Sequence, residues 1–381
     1  MSKAKYKRLG DYIRPIDVRN RDLKINLSQG ICNAKYFQNP KQVADNPQTH
    51  KVVRTGQFAY NRATTRNGEK ISIALREGPD CTVSSAYQVF EVIDENLLNP
   101  KYLMMWFKRP EFDRLAIYYS HGSAHEFFEW DAMCDVMLPI PSITRQREIV
   151  SEYETLTNRI RLNNQMIQHL EATAQALYRK MFVDGIDKEN LPEGWEIGTL
   201  GEIAVIITRG KSPKYVDDSP MLVVGQRCVR NHIVDLKIAR TYIPKAIDIE
   251  LKYGDILINS TGEGSLGRVG QVFLNVKGVS FDSHVTLVRF SNEANSFYYG
   301  AILTMSESDI ESLAVGSTGQ TELPRDSVIN YTVIIPKSEL ITDFHKDIKP
   351  IKNYETILVQ ENSKLFELQS LLLAKMGNLK Q

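Results

Sequence analysis

Leu138-Pro139-Ile140-Pro141 opens a stretch that runs without interruption to Lys180-Met181, and 195 residues later Val333-Ile334-Ile335-Pro336 opens a second that runs to Lys375-Met376. Within the first, Ile149, Tyr153, Leu156, Ile160, Asn163, Ile167, Leu170, Ala174, Leu177 and Met181 recur at alternating steps of four and three. That is the a/d seam of a heptad repeat, apolar at every position but Asn163. In the second, Phe344, Ile348, Ile351, Leu358, Leu365, Leu372 and Met376 hold the same register, interrupted by Glu355, Asn362 and Gln369. A helix over about 145–181 would be roughly 55 Å long at about 1.5 Å per residue, far longer than an ordinary core helix. Two such helices in one chain predict an intramolecular coiled coil, because a tethered partner has a high effective concentration. The helices run antiparallel if a pseudo-twofold axis relates the two units. Pairing between two copies of the chain is the alternative.

The repeat extends outward from the helices. Leu9-Gly10-Asp11 recurs as Leu200-Gly201-Glu202, Thr55-Gly56-Gln57-Phe58-Ala59-Tyr60-Asn61 as Tyr253-Gly254-Asp255-Ile256-Leu257-Ile258-Asn259, and Gly122-Ser123 as Gly316-Ser317. A period near 200 residues exceeds any solenoid repeat and implies a duplicated domain-plus-helix unit. Alternating, β-rich runs at 57–60, 71–75 and 87–92 in the first copy, and at 254–259, 268–274 and 284–290 in the second, predict strands. Helices are expected at 100–107 and near 296–304. The expected architecture is α+β, twice: domains over 1–143 and 184–337, each followed by a long helix, 144–183 and 338–378.

Composition bounds the function. The 381 residues are 42% hydrophobic and 24% charged, which excludes wholesale disorder. With 47 Lys plus Arg against 46 Asp plus Glu, the formal net charge is +1, so any positive charge for nucleic acid must be local or supplied by a partner. Cys32, Cys81, Cys134 and Cys228 lie far apart with no C-x-x-C pair, which argues against a zinc ribbon or a disulfide framework and for a reducing compartment. The most apolar short run, 102–107, is far below the ~20 residues of a membrane helix, and the polar, basic Met1 to Arg8 has no apolar segment after it that would suggest a signal peptide. A soluble cytoplasmic protein is expected.

Motifs that resemble chemistry fail on context. Gly262-Glu263-Gly264-Ser265-Leu266-Gly267 fits G-x-G-x-x-G, but a dinucleotide or methyl-donor site needs that loop to open a helix, and 268–274 reads as a strand. A β-turn is the expectation. His121 and His125 have Glu126 beside them rather than between them, and Gly122 argues for a loop, not a metal-binding helix. There is no amino-methylation motif, Walker loop or nucleophile elbow. No catalytic residues and no metal ligands are assigned.

Loops rich in cations and amides are where nucleic acid is expected to be read. They carry Arg62, Thr64, Arg66 and Lys70; Ser123 and His125; Arg209, Lys211 and Lys214; Arg227, Arg230 and Asn231; Ser260, Thr261 and Arg268; and Ser317, Thr318 and Gln320. Arg and Lys there would neutralise phosphates, while Arg on guanine and Asn or Gln on adenine supply base readout. A cluster of basic residues between Lys3 and Lys24 adds local charge.

The order of these elements resembles the specificity (S) subunit of type I restriction–modification systems over essentially the whole chain: a Leu-Gly-acidic start, a Gly-Asp-Ile-Leu-Ile strand with a glycine turn, a Gly-Ser-Thr loop, a Pro-Ile-Pro stretch and a long heptad helix, restarting at Leu191-Pro192-Glu193-Gly194-Trp195. The resemblance implies two target recognition domains that each read half of a bipartite, asymmetric site in double-stranded DNA, with the two helices as the ruler between them. It implies two methyltransferase (M) subunits docked on the helices, optional restriction (R) subunits, a chain that is not itself an enzyme, and a methyl donor and ATP bound by those partners. The family's Pro-Pro-x-x-x-Gln helix start is matched in part by Pro139-Ile140-Pro141 and Gln146, whereas the second copy has Ile341 at that place. Two other classes share some of these features: the recognition subunit of a fused restriction–methylation enzyme, and a coiled-coil scaffold that binds no DNA.

Overall fold

Phe58–Asn61 lies between Tyr87–Val92 and Ile73–Leu75, with Ile13–Ile16 on the far side of Tyr87–Val92, in one four-stranded antiparallel sheet. The same order recurs later in the chain: Ile206–Arg209, Val285–Arg289, Ile256–Asn259 and Val269–Gln271 are neighbours in turn and antiparallel throughout. Here the sheet continues through His232–Val234 and Val229–Arg230 to six strands. These sheets come from a computed structural model that describes residues 6–40, 46–63, 70–120, 127–274, 276–316 and 321–377. The chain divides into two compact units, one of 1–161 with 362–381 and one of 162–361.

The duplication reaches single side chains. Gly56 and Gly254, two residues before the matched strands, both have φ +88°, a conformation open to glycine at little cost. The next residue caps its own turn: Gln57 Oε1 accepts from Arg54 N at 2.8 Å and Asp255 Oδ2 from Lys252 N at 2.7 Å. It also reaches the neighbouring strand, where Gln57 Nε2 donates to Glu91 at 2.8 Å and the Arg289 guanidinium donates twice to Asp255, at 2.7 Å each. One position thus uses an amide–carboxylate pair and its counterpart an ion pair. The Leu-Gly-acidic steps follow the lead-in strands Tyr6–Arg8 and Glu196–Thr199, which pair antiparallel with Met137–Pro139 and Thr332–Ile335. Leu9 and Leu200 are wholly buried beneath them.

Helices form at Pro100–Phe107 and Glu293–Met305, each started by an asparagine side chain (Asn99, Asn292) that accepts from backbone N–H groups of the first turn. The 262–267 segment is a turn between antiparallel strands, with Gly262, Gly264 and Gly267 all at positive φ. The four cysteines are free. Among the described residues no helix is long and apolar enough to cross a membrane.

The two long helices are Ile143–Phe182 and Ser338–Met376. Every seam position named from the sequence is buried or half-buried, including Asn163, Glu355, Asn362 and Gln369. In the second unit the helices run antiparallel: Asn163 Nδ2 donates to Glu361 at 2.9 Å, and further along Lys352 Nζ donates to Glu171 at 2.9 Å. In the first unit Gln369 Nε2 donates to Thr157 Oγ1 at 2.7 Å. Asn163, Glu355 and Gln369 are thus hydrogen-bonded, as buried amides and carboxylates require. Each unit's globular core includes its helical segments: Ile149, Val150 and Met376 belong to one core, and Ala174, Phe182, Phe344 and Ile348 to the other.

Candidate nucleic-acid interface

Register places the second unit's candidate loops at one end of the six-stranded sheet. Arg209 stands opposite Thr286, Val285 opposite Asn259, Ile258 opposite Val269, Gly270 opposite His232, and Ile233 opposite Arg230. The segments beyond those residues therefore emerge together. Two segments, the one after Arg209 and the one after Val224, cross Asp282 closely because they carry glycine: a Cβ on Gly210 would lie 2.4 Å from the Asp282 carbonyl oxygen, and one on Gly225 would lie 2.7 Å from its carboxylate. Asp282 Oδ1 accepts from His284 N at 2.8 Å, and burial raises its carboxyl above the usual range.

What surfaces there is a polar, cationic patch. Thr261 Oγ1 lies 2.7 Å from His284 Nδ1 and 3.3 Å from Gln226 Oε1. Ser212 Oγ is 3.3 Å from Ser283 Oγ, and Lys245 Nζ donates to the Ser212 carbonyl at 2.9 Å. Lys211, Lys214, Arg227, Arg230, Asn231, Lys245 and His284 are exposed. Gln226, Lys245 and His284 were not singled out in the sequence. Each sits alone among strand or turn residues, and only long-range strand pairing brings Gln226 and His284 beside Thr261, and Lys245 beside Ser212. Hydroxyl, amide and imidazole groups flanked by cations can donate to base edges and phosphate oxygens.

Three residues expected to contact DNA are engaged within the protein. Ser260 is wholly buried, with its hydroxyl 2.6 Å from Thr286 Oγ1, so it is a core hydrogen bond rather than a surface donor. The Arg209 guanidinium holds Glu322 and the Leu323 carbonyl, bracing the segment that pairs with Thr261. Arg268 Nη2 donates to the Gly264 carbonyl at 2.6 Å across the glycine turn. Ser317, Thr318 and Gln320 lie outside the described residues.

In the first unit the corresponding sheet end carries Arg62. Its backbone carbonyl accepts from Phe128 N at 2.8 Å, its guanidinium lies 5.3 Å from the Phe127 ring centroid, and Nη1 is 3.2 Å from Glu129. Lys70 is exposed. Thr64, Arg66, Ser123 and His125 fall outside the described residues. Much of the basic cluster near the chain's start is neutralised locally: Arg8 pairs with Asp135, Arg14 with Glu91, Arg19 with Asp17 and Lys24 with Asp22. The excess read from the sequence therefore shrinks in the folded unit.

Comparison with known proteins points one way. The family model for the Type I restriction modification DNA specificity domain matches residues 192–364. The Type I restriction enzyme HindI specificity subunit of Haemophilus influenzae is 21% identical over 93% of this chain and 93% of its own length. The crystal structure of the type I restriction–modification S subunit from M. genitalium superposes with a TM-score of 0.63, covering 99% of this chain and 96% of its own, at 14% identity. That last likeness is one of fold.

Proposed function

From its place among type I restriction–modification specificity subunits, we propose that this chain reads a bipartite, asymmetric DNA target through two recognition domains, one in each unit, and carries no catalytic step itself. The observation that supports this most is the recurrence of one strand order with different side chains at the matched sheet end: Arg62 over Phe127 in one unit, and Gln226, Arg227, Thr261 and His284 in the other. Like frames with unlike edges read unlike half-sites. The long helices act as an antiparallel coiled-coil spacer, and the register of the heptads sets the gap between the halves.

Methyltransferase subunits, two per chain, dock on the helices' outer faces. Leu162, Met166, Tyr354 and Ile357 in the second unit, and Phe366, Leu368 and Leu371 in the first, are exposed apolar side chains on those helices. Single exposed apolar residues are ordinary; rows on an otherwise polar helix suit a protein partner. Restriction subunits join that assembly, and the methyl donor and ATP are bound by the partners. The complex works in the cytoplasm, where its DNA is.

The test is methylation mapping in a host that expresses this chain with its methyltransferase subunit. A two-part motif with a constant gap is expected. Arg62→Ala and Arg227→Ala complexes should assemble normally and bind DNA more weakly, each lowering the slope of log K against log salt by about 1. Unchanged salt dependence for both, or methylation without a bipartite motif, would reject the reading.

A further inference from the structure

The hairpin of residues 229–234 turns on Asn231 and His232, with φ of +50° and +61°. A two-residue turn with both positions left-handed normally ends in glycine. A histidine in that second position is a strained choice, and such strain points to a role. The side chain shows the role: His232 Nδ1 lies 2.9 Å from Glu171 Oε1, on the first long helix. The other Glu171 oxygen accepts from Lys352 Nζ at 2.9 Å, and Lys352, on the second long helix, also donates to Glu355 at 3.0 Å. Glu307, whose Oε1 accepts from Val269 N at 2.7 Å, faces His232 Nε2 at 3.9 Å. These are the charged groups packed around the imidazole, all in the second unit and all partly or largely withdrawn from water.

We propose that His232 is a positioning residue: gripped by Glu171, it bolts the extra two strands of the recognition sheet to the spacer helices, and so fixes where the second half-site must lie along the duplex. This rests on the DNA-reading function proposed above. Arg230 and Asn231 sit on the same hairpin, and Arg227 immediately precedes it, so the grip also holds candidate DNA contacts. Among the described residues the first unit shows no such device: its corresponding sheet has four strands, and the position matched to Glu171 is the exposed Phe366.

Charge supports the grip. Burial alone would raise the Glu171 carboxyl, but His232 and Lys352 override it and pull it down to about 2. The hydrogen bond that the protonated imidazole donates to Glu171 raises His232 above its ordinary value, against the opposing effect of burial. The grip is therefore complete below the ordinary histidine value of about 6.5, and its charged component is lost as pH rises through the raised value.

The experiment uses the full chain with its methyltransferase subunits and duplexes carrying the motif that methylation mapping returns, with the gap correct or changed by one base pair. One pair moves a half-site by about 3.4 Å and turns it by about a tenth of a turn. The wild-type complex is expected to lose at least about tenfold in affinity on that change at pH 6, and less at pH 9. His232→Gly suits the turn's backbone, so the hairpin survives while the grip is gone. That variant should bind the correct gap but discriminate less than about threefold at either pH, and Glu171→Ala should match it. A His232→Gly complex with wild-type discrimination at both pH values would overturn the proposal. A wild-type complex that shows no bipartite motif would overturn the function it rests on.

Discussion

Gln146 shows how much one side chain can tie together. It is wholly buried at the start of the first long helix; its Nε2 donates to the carbonyls of Leu97 and Pro141 at 2.9 Å each, and its Oε1 accepts from Asn99 N at 2.8 Å. The helix Pro100–Phe107 starts at Asn99, so this one amide joins a globular helix to the first long helix. The second copy solves the same junction with Ile341, 4% exposed and part of an apolar core. Gln146→Ala should destabilise the first unit by about 2–3 kcal/mol, because backbone groups already out of water lose their partners. Gln146→Ile should be no better, since the first unit's polar backbone groups remain. Denaturant unfolding of the two variants checks this, and an unaltered midpoint would show that the amide is dispensable.

At the scale of elements, the helices carry a graded seam. Ile160 is 7% exposed, whereas Leu170 is only half-buried. Ile160→Asp buries a carboxylate at an apolar seam position and should cost about 3–5 kcal/mol, enough to lower assembly with a partner as well as stability. Leu170→Asp should cost markedly less, since water reaches that position. Thermal melts of the single variants separate the two; equal losses would mean that the seam is uniformly packed. The polar seam residues argue the same way: Asn163 and Gln369 are each matched by a polar group, so their positions specify which turn of one helix faces which turn of the other.

The whole molecule is built from discontinuous sequence. The first unit takes its last helical segment from residues 362–381, where Met376 is 1% exposed in the core formed with Leu138, Ile149 and Val150, and the Gly377 carbonyl accepts from the Tyr6 hydroxyl at 2.8 Å. A chain ending at Glu361 should therefore lose the first unit's cooperative unfolding transition while keeping that of the second, which needs only residues 162–361. Calorimetry of the truncated and full chains would show it; two intact transitions after truncation would contradict the division. Charge at this scale is close to balanced, and the folded units distribute it unevenly: acids pair with many cations, while Lys211, Arg227 and Lys245 stay exposed.

Periodicity alone determined the long helices, the duplication and the strand positions, because heptad spacing and alternation are local consequences of helix and strand geometry acting on which residues avoid water. The turn reading of 262–267 was equally local. The candidate interface was legible only in part. The sequence marks which loops are cationic and polar, but not that Ser260 turns inward while its counterpart Arg62 turns outward, nor that Arg209 is spent on Glu322. Gln226, His284 and the His232–Glu171 grip join residues far apart in the chain. Only sheet register and the close crossings permitted by Gly210 and Gly225 bring such residues within hydrogen-bonding distance, and those depend on strand pairing over long separations rather than on any local pattern.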